Sequence, residues 1–442
     1  MTAINAAACM NSVVARAKAS STAVALAALI ATGALPTPVA AQRAAADSAR
    51  AAADSLAARL RRAEQAIALL QQQLGEQASA GVSTRSRMQL EFTGRVLVHA
   101  FRNDARVNNV DDPQFVRPDS ASALPKEGLG LAIRQTTLGV VLTSRDVLGG
   151  RFVGDLDVDF YGGQQPSSGG RTFPLLRLRT ARGAVKWANG EVMVGQESPL
   201  IAGLNPVSPA AIGTPGFVTA GNLWLWLPQV RASVETGGPL SFGLQAAVLA
   251  STSGDPVGLF DTDVDAAERS GRPATEARVR VRWGEDDHPS EIGCGGHVAW
   301  LAVPGALERT DAVACDARVA FGPVEVRGEG YAGHGLRGLG GGGISQNLSR
   351  TGTALADKGG WGQLNLDASA LVRVGVGCGI DEPRQADVLA GGRLRNQSCA
   401  GYTIIRPGGP LVVGAEYRRI ETRYSSGAVA NNHLNLSFGF EF

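Results

Sequence analysis

The last nine residues of the chain, 434–442, alternate without a break between apolar side chains and small or polar ones. Because successive side chains of a β-strand point to opposite faces, the apolar set shares one face. That set is Leu434, Leu436, Phe438, Phe440 and Phe442. Such an apolar edge is an aggregation hazard in a soluble sheet, whereas in a closed membrane barrel it pairs with the first strand and faces lipid. We therefore expect this strand to close a barrel by pairing with residues 88–100.

Weaker strands of the same kind run through most of the chain. In residues 151–161, 174–180 and 276–283, apolar side chains alternate with charged ones, and Gly-rich stretches such as 338–343 separate the strands. Aromatic residues lie near several strand ends, as in the girdles of membrane barrels. At about 9–11 residues per strand plus turns, residues 88–442 fit an all-β transmembrane fold, an antiparallel outer-membrane β-barrel of about 16 strands.

The start of the chain has the pattern of a signal peptide. A short basic region precedes an apolar run at residues 23–35, and small residues before Gln42 suit cleavage by signal peptidase. The alternative is a membrane anchor, which needs about 18 apolar residues, more than this run has. We expect residues 1–41 to be removed during export through the inner membrane to the outer membrane. Met1 and Met10 are both candidate starts.

Residues 42–74 have the pattern of a helix with a heptad seam. The seam residues are Ala46, Ala49, Ala53, Leu56, Leu60, Ala63, Ile67, Leu70 and Leu74. So thin an apolar stripe favours an α-helical coiled coil that precedes the barrel, with a helix packed on the protein surface as the alternative. The seam does not decide between two and three chains. Residues 75–87 are small and polar and indicate a linker.

Charge composition excludes one class of partner. The full chain has 42 basic and 40 acidic residues, and removing residues 1–41 takes away only Arg16 and Lys18, which leaves 40 of each. No basic block remains, so nucleic-acid binding is not expected.

Four cysteines remain after cleavage, and their spacing suggests two pairs. Cys294 and Cys315 are 21 residues apart, as are Cys378 and Cys399. In an exported chain an even number favours disulfides, and of the three possible connectivities we prefer the two local pairs, because each brackets a turn-rich stretch. Free buried thiols are the alternative. No cysteine spacing typical of zinc is present, and neither a metal nor a cofactor is expected.

Several segments carry a resemblance to a known family. They are "RMQLEFTGRVLVHAFRNDARVNNVDDPQFV", "LRLRTARGAVKW", "VGQESPL", "GNLWLWLPQVR" and the final hairpin, "VGAEYRRIETRY" with "NNHLNLSFGFEF". In this order, after a signal and a heptad helix, they resemble the DcaP-like trimeric porins and, more broadly, the phosphate-selective type porins. The resemblance implies a 16-stranded barrel, a homotrimer, a periplasmic coiled coil and passive diffusion of small, often anionic, solutes. The cysteine pairs and the Gly-rich loop depart from the family pattern.

Charged strand faces supply candidates for solute selectivity. They are Arg177, Arg179, Arg278, Arg280, Arg282, Asp155, Asp157 and Asp159. Rings of charged side chains set the sign preference of pores, and guanidinium groups grip carboxylates and phosphates. The arginines favour anions only if the aspartates lie away from the narrowest point, and each residue has the alternative of being plain solvated lumen wall. Residues 199–222, with four prolines, are either a constriction loop or an ordinary extracellular loop.

An enzyme is not expected. His99 and His433 lie on the two strands that should close the barrel, and Ser437 shares a face with His433, but a Ser–His pair would have to face lipid to act on it. We predict a porin for small hydrophilic, anionic solutes, with outer-membrane lipid around it and the barrel-assembly machinery recognising the C-terminal strand. The alternative is a barrel-anchored structural or adhesive protein tethered through its coiled coil.

Overall fold

The structure is a computed structural model that describes Arg59, Gln65 and residues 82–83, 88–118, 127–163, 173–255, 263–284 and 289–442. The chain divides into two compact units, Met1–Ala80 and Gly81–Phe442. In the first unit, Arg59 and Gln65 are helical and exposed. The expected signal peptide, the rest of the coiled-coil helix and most of the linker lie outside the described residues.

The second unit is built from strands. They are β1 (Val82–Ser83), β2 (Gln89–Asn103), β3 (Gly128–Ala132), β4 (Thr137–Val147), β5 (Gly150–Asp159), β6 (Arg177–Lys186), β7 (Gly190–Glu197), β8 (Leu227–Glu235), β9 (Leu240–Leu249), β10 (Ala274–Trp283), β11 (Ser290–Val303), β12 (Ala306–Phe321), β13 (Val324–His334), β14 (Ala356–Ser369), β15 (Val372–Pro383), β16 (Arg395–Gly408), β17 (Leu411–Tyr424) and β18 (Gly427–Glu441). Short 3₁₀ helices lie at Leu200–Ala202, Glu268–Ser270, Leu336–Leu339, Gly343–Ser345 and Gln385–Asp387. Among the described residues, the helices are too short or too polar to cross a bilayer.

The strands form one closed antiparallel barrel. β3 and β4 pair with successive halves of β2 and so act as one wall strand. With these two taken together and the two-residue β1 left out, the described wall has 16 strands. The barrel closes where His433 to Glu441 of β18 lie opposite Asn103 to Arg95 of β2. The expected closing strand is confirmed, and its partner is displaced toward the end of β2 relative to residues 88–100.

The polarity of the wall is the reverse of that in a soluble protein. In β18, Phe438 is 57% exposed while its neighbour Ser437 is 4% exposed, and Leu434, Leu436 and Phe440 share the outward face. Val279 on β10 and Val376 on β15 also point outward and are more than half exposed. A wall with exposed apolar residues outside and buried polar ones inside suits an apolar surrounding.

Connections differ between the two ends of the barrel. At one end, turns as short as Leu148–Gly149 join β4 to β5. At the other, which we call the long-loop end, the longer connections are 104–127, 160–176, 198–226, 250–273, 335–355 and 384–394. Membrane barrels have short periplasmic turns and longer extracellular loops. By this rule the long-loop end corresponds to the extracellular side and the short-turn end to the periplasmic side.

Both cysteine pairs join neighbouring strands. Cys294 of β11 lies opposite Cys315 of β12, and Cys378 of β15 lies opposite Cys399 of β16, each pair bonded through sulfur. These are the two local pairs. Cys315 shares the outward face of its strand with Val313. The disulfides therefore tie strands of the wall together and leave the interior to other groups.

Candidate functional site

The connection between β7 and β8, residues 198–226, folds into the barrel and crosses it. We call it the crossing loop. Its backbone is held by side chains of distant wall segments, which is how irregular backbone is tolerated inside a membrane barrel. The contacts are Gln363 with Val207 N and O (2.8 and 2.7 Å), Gln135 with Ala210 O and Ile212 N (2.6 and 2.7 Å), Arg327 with Asn205 O (2.8 Å), Glu329 with Leu223 N (3.0 Å), and Glu276 with Leu200 N. Residues 199–222 thus fold into the barrel, as a constriction loop would, and do not extend outward as an ordinary extracellular loop.

Apolar packing holds the same loop in place. Crossing-loop residues belong to three of the four clusters of buried apolar side chains in the described interior and pack against the fourth. These are Leu200, Ile201, Ala202, Phe217, Ala220 and Leu223, with Leu204, Val207, Ile212 and Leu225 packed at the edges. Full burial of one leucine or isoleucine contributes about 1.5–3 kcal/mol, so the loop is a fixed part of the lumen and not a mobile flap.

Gly221 marks the closest approach of the crossing loop to the wall. Its φ is +102°, and a Cβ there would lie 2.1 Å from the carbonyl oxygen of Gly360 and 2.6 Å from that of Ile380. A side chain is therefore excluded by both the backbone conformation and the wall.

Gly221→Ala should loosen the crossing loop. The backbone strain alone is about 1–3 kcal/mol, to which the clash with β14 adds. We expect a noisier and larger single-channel conductance and faster cleavage by added protease within residues 198–226. Gly203→Ala is the control, since φ is −84° and the nearest atom to its Cβ is 4.0 Å away. Equal behaviour of the two variants would contradict a tightly seated loop.

The candidate charges on β5 and β6 lie against one another. Asp155 and Asp159 are directly opposite Arg182 and Arg177 in the strand register. The ion pairs are Arg177–Asp159 (2.6 Å), Arg179–Asp157 (3.0 Å) and Arg182–Asp155 (2.5 Å). The acidic row therefore does not lie apart from the arginines, and Arg177 and Arg179 are not unpaired cations facing the solute.

The three candidate arginines of β10 are also paired. Arg278 is buried between Asp316 and Glu291, its Nη2 2.8 Å from the latter. Arg280 and Arg282 lie 2.8 and 3.2 Å from Glu235. Each paired arginine and carboxylate together carry little net charge. These rows therefore do not favour anions over cations, and any such preference comes from other residues of the lumen.

Two aromatic rings pack against Arg134 and against two arginines of β6. Arg134 lies 4.1 Å above the ring of Tyr161, and Arg177 lies 5.3 Å from the same ring. Arg177 and Arg179 lie 5.2 and 5.1 Å from the ring of Trp226, in the crossing loop. Cation–π contact adds to the ion pairs and gives this part of the lumen a fixed shape.

A second inward segment, residues 104–118, is anchored at Arg418. This side chain of β17 is 3% exposed and contacts Glu416 at 2.6 Å and Asp112 at 3.1 Å. It also donates a hydrogen bond to the carbonyl of Pro113 (3.2 Å). Burial raises the pKa of Asp112 to about 7, against the opposing charge of Arg418. The segment is thus held by a buried ionic cluster.

The two histidines of the closing strands are fixed by amides. His99 Nδ1 is 3.0 Å from Asn435 Oδ1, and His433 Nδ1 is 2.9 Å from Asn103 Oδ1. Ser437 lies opposite His99 in the register and points inward with it. In the described part of the chain, no group of three or more His, Cys, Asp or Glu side chains is arranged to hold a metal ion.

At the long-loop end the loops leave a cavity of about 1370 Å³, which we call the vestibule. Its walls come from the ends of β2, β11 and β17 and from several loops. The charged residues among the described lining are Arg106, Arg117, Arg337, Arg393 and Asp255. Arg337 and Asp255 pair at 2.8 Å. The described vestibule wall therefore carries net positive charge.

Comparison with known proteins bears on the barrel as a whole. The outer membrane channel DcaP of Acinetobacter baumannii superposes with a TM-score of 0.65 at 17% identity, over 82% of this chain and 99% of that one. The fold is that of the DcaP-like porins. The anion-selective porin from Comamonas acidovorans has a TM-score of 0.52 at 11% identity, over 80% and 100% of the two chains. Pseudomonas putida OprB has 0.50 at 11%, over 80% and 94%.

Other comparisons found nothing: no protein-family model and no curated protein matches the sequence. The porin fold that the motifs predicted is thus confirmed by the structural comparison. At these sequence identities the comparison supports the fold and nothing more specific.

Some site residues were not singled out from the sequence. Arg337 and Arg393 lie in loops, where no strand period indicates a direction. Arg418 lies on β17, whose outward face also carries charges such as Arg419 and Glu421, so alternation there does not separate inside from outside. The density of acids around Asp112 in the β2–β3 connection was the one available signal.

Proposed function

We propose that this chain is a porin of the bacterial outer membrane, through which small hydrophilic solutes, preferably anions, diffuse passively. The observation that carries the proposal is the reversed polarity of a closed wall, with charged side chains inside and apolar ones outside. Arg182 and Arg282 inside the barrel keep about a third of their side-chain surface exposed, at 36% and 34%, as hydrated charges do. The crossing loop supplies the constriction that a diffusion pore needs.

Anion preference is supported by the vestibule and not by the strand rows. The rows of β5, β6 and β10 meet carboxylates at close range, whereas Arg393 in the described vestibule wall contacts the ring of Phe115 and the carbonyl of Ile344. A cleft lined by one sign of charge raises the local concentration of the opposite ion. An anion would therefore meet the favourable field before it reaches the constriction.

Planar bilayers with the purified full chain test both halves of this proposal. Under a KCl gradient we expect stepwise conductance and a reversal potential of the sign given by chloride. A reversal potential of the opposite sign would contradict the anion preference alone. Absence of any conductance, together with no swelling of liposomes in small sugars, would contradict the channel and favour the structural or adhesive alternative.

A homotrimer and processing at residue 42 belong to the same proposal. The heptad seam in residues 42–74 and the resemblance to trimeric porins support the trimer. Native mass spectrometry should give three chains, each starting at Gln42. A mass of one chain would contradict the trimer, and an uncleaved start would contradict the signal peptide.

The outward apolar face of β18 supports recognition by the barrel-assembly machinery. Deletion of Phe442 tests this, and we expect it to reduce assembly of the barrel.

A further inference from the structure

Two arginines meet on the outer surface of the wall near the long-loop end. Arg395, at the start of β16, lies directly opposite Arg423 of β17 in the strand register. Both side chains point outward, since Asn396 and Thr422 beside them are buried on the inner face. Directly opposed residues of a sheet have Cβ atoms about 4.5–5.5 Å apart, and like charges in these positions destabilise the pair. The arrangement becomes favourable when a negative charge comes close to both guanidinium groups.

The described chain supplies no carboxylate partner to this pair. Arg395 donates a hydrogen bond through Nη2 to Oε1 of Gln397 at 2.8 Å, and its Nε is shielded from solvent without a described acceptor. Arg423 forms no ion pair with any described acid. By contrast, Arg309 and Arg384, two other exposed arginines of this end, each have an aspartate partner, at 3.3 and 3.6 Å. The opposed pair is thus the place where an anion from outside the chain is missing a protein counterpart.

The outer surface around the pair has an excess of positive charge. Lys358 of β14 and Arg419 of β17 also point outward. Two acids lie among them: Glu382 is opposite Lys358 in the register, and Glu421 is opposite Gln397. Neither acid forms an ion pair within the described residues. Four basic side chains therefore share this surface with two acidic ones.

Other parts of the wall differ at the same end of the barrel. On β4, β7 and β8 the outward residues there are the apolar Leu138, Val194 and Val230. On β17 the outward Tyr417 is half exposed and lies nearer to the middle of the wall than Arg423. Aromatic side chains mark the boundary of the apolar band in membrane barrels. The basic surface beyond it is therefore placed at the level of lipid head groups, whose phosphates attract arginine and lysine.

A groove in the outer wall begins at these basic residues. It has a volume of about 880 Å³ on β12–β16, with Lys358 and Arg395 at its long-loop end. Its floor has little side-chain volume, because Gly330 and Gly362 face outward and nothing lies within 4 Å of the place where a Cβ would be. Ile380 adds an apolar side chain to the lining. The groove thus has the shape and polarity to take an acyl chain whose head group lies at the basic end.

We propose that Lys358, Arg395 and Arg423, with the groove beside them, form a binding site for a phosphate-bearing lipid of the outer leaflet. The phosphate lies between the two opposed guanidinium groups, which bind phosphate oxygens through paired hydrogen bonds. An acyl chain lies over Gly330 and Gly362. We call this the lipid site. It depends on the position of the barrel in the membrane and does not depend on the passage of solutes through the lumen.

Native mass spectrometry of the full chain in a neutral detergent tests the ligand class with three probes. Dioleoyl phosphatidic acid has the phosphate and the chains, dioleoylglycerol lacks the phosphate, and inorganic phosphate lacks the chains. We expect saturable binding of phosphatidic acid, with each of the other two about tenfold or more weaker. Equal binding of dioleoylglycerol would overturn the role of the arginines. Inorganic phosphate bound as tightly as phosphatidic acid would overturn the role of the groove.

Paired variants locate the head group. Arg395→Gln combined with Arg423→Gln should weaken phosphatidic acid binding by about tenfold or more. In lipid-free detergent this variant should unfold no more easily than the wild type, because it removes a repulsion. Arg309→Gln combined with Arg384→Gln removes the same charge at the same end and should bind like the wild type. Wild-type affinity in the first variant would overturn the lipid site.

A filled groove tests the position of the acyl chain. Gly362→Leu should weaken phosphatidic acid binding by about tenfold, since the new side chain has open space and occupies the groove. Gly237→Leu is the control, because Gly237 also has nothing within 4 Å of its Cβ position and lies in the turn between β8 and β9. Equal affinity in the two variants would place the chain elsewhere and overturn this part of the site.

A second copy of the chain is the other possible cover for this surface. In that case the wild type would bind no phosphatidic acid, and the variant lacking Arg395 and Arg423 would lose subunits, which would overturn the lipid site. The lipid site and the channel also fail separately. Binding of phosphatidic acid without conductance in bilayers would contradict the channel alone, and conductance without such binding would contradict the lipid site alone.

Discussion

A variant in which residues 200–223 are replaced by four glycines is expected to conduct several-fold more than the wild type. The crossing loop fills the lumen with apolar packing and ties its backbone to opposite sides of the wall through Gln363 and Gln135. The shortened connection can still close, because Glu197 and Leu227 are paired residues of adjacent strands. Wall carboxylates that contacted the loop, such as Glu329, would then be hydrated and no longer desolvated. Single-channel recording measures the change.

Folding of the loop variant needs its own control. The unheated variant should migrate on gels as a folded barrel and change mobility on boiling at the same temperature as the wild type. The strand pairing of the wall does not include residues 200–223. The variant should admit larger solutes than the wild type but keep most of its preference for anions over cations, because the vestibule arginines remain. Conductance equal to the wild type in a correctly folded variant would place the narrowest point elsewhere, at residues 104–118 or 335–355.

Arg418→Met is expected to be the most destabilising single substitution in the interior. It leaves Glu416 and Asp112, both about 1% exposed, as buried carboxylates without their cation. Breaking one side of a buried ion pair costs about 3–5 kcal/mol in the free energy of unfolding. Urea unfolding of the barrel in lipid vesicles at pH 8 measures the loss.

The loss should depend on pH with a definite sign. The folded pKa of Asp112 is raised to about 7 by burial, above its ordinary value, so its proton is held more tightly in the folded state. Stability from this group is therefore present at low pH and falls as pH rises toward 7. Without Arg418 the penalty grows above that pH, and the variant should lose more stability at pH 8 than at pH 5.

Two further variants separate the ionic cluster from packing. Arg384→Met removes a 72% exposed arginine paired with Asp387 at 3.6 Å, and should change stability by less than about 0.5 kcal/mol. Adding Asp112→Asn and Glu416→Gln to Arg418→Met should recover most of the loss at pH 8. A loss in Arg418→Met that is the same at pH 5 and pH 8, with no recovery, would contradict the ionic account.

Much of the barrel follows from local pattern. The alternation in residues 434–442 predicted both the closing strand and its outward face, and the rows on β5, β6 and β10 do point inward. For residues 199–222 the sequence left a constriction loop and an ordinary extracellular loop as alternatives, and the contacts with Gln363 and Gln135 place the loop inside the barrel. Cysteine spacing favoured the local pairs because strands joined by one turn bring residues on either side of it opposite one another.

The alternation of residues along the strands could not predict ion selectivity. Arg177 and Asp159 are 18 residues apart and were placed on separate rows, but the register sets them opposite each other and pairs their charges. The positive charge of the vestibule lies in loops, at Arg117 and Arg393. Loops have no strand period from which the direction of a side chain could be predicted.

The face on which each strand residue lies could be predicted locally, because a strand has a period of two that the neighbouring residues establish. Which inward charges meet depends on contacts between distant segments. Arg418 and Asp112 are 306 residues apart, and His433 and Asn103 are 330 apart. Closure of the barrel and the inward paths of its loops bring such groups together. Whether a charge is then cancelled by a partner or offered to a solute depends on those distant contacts.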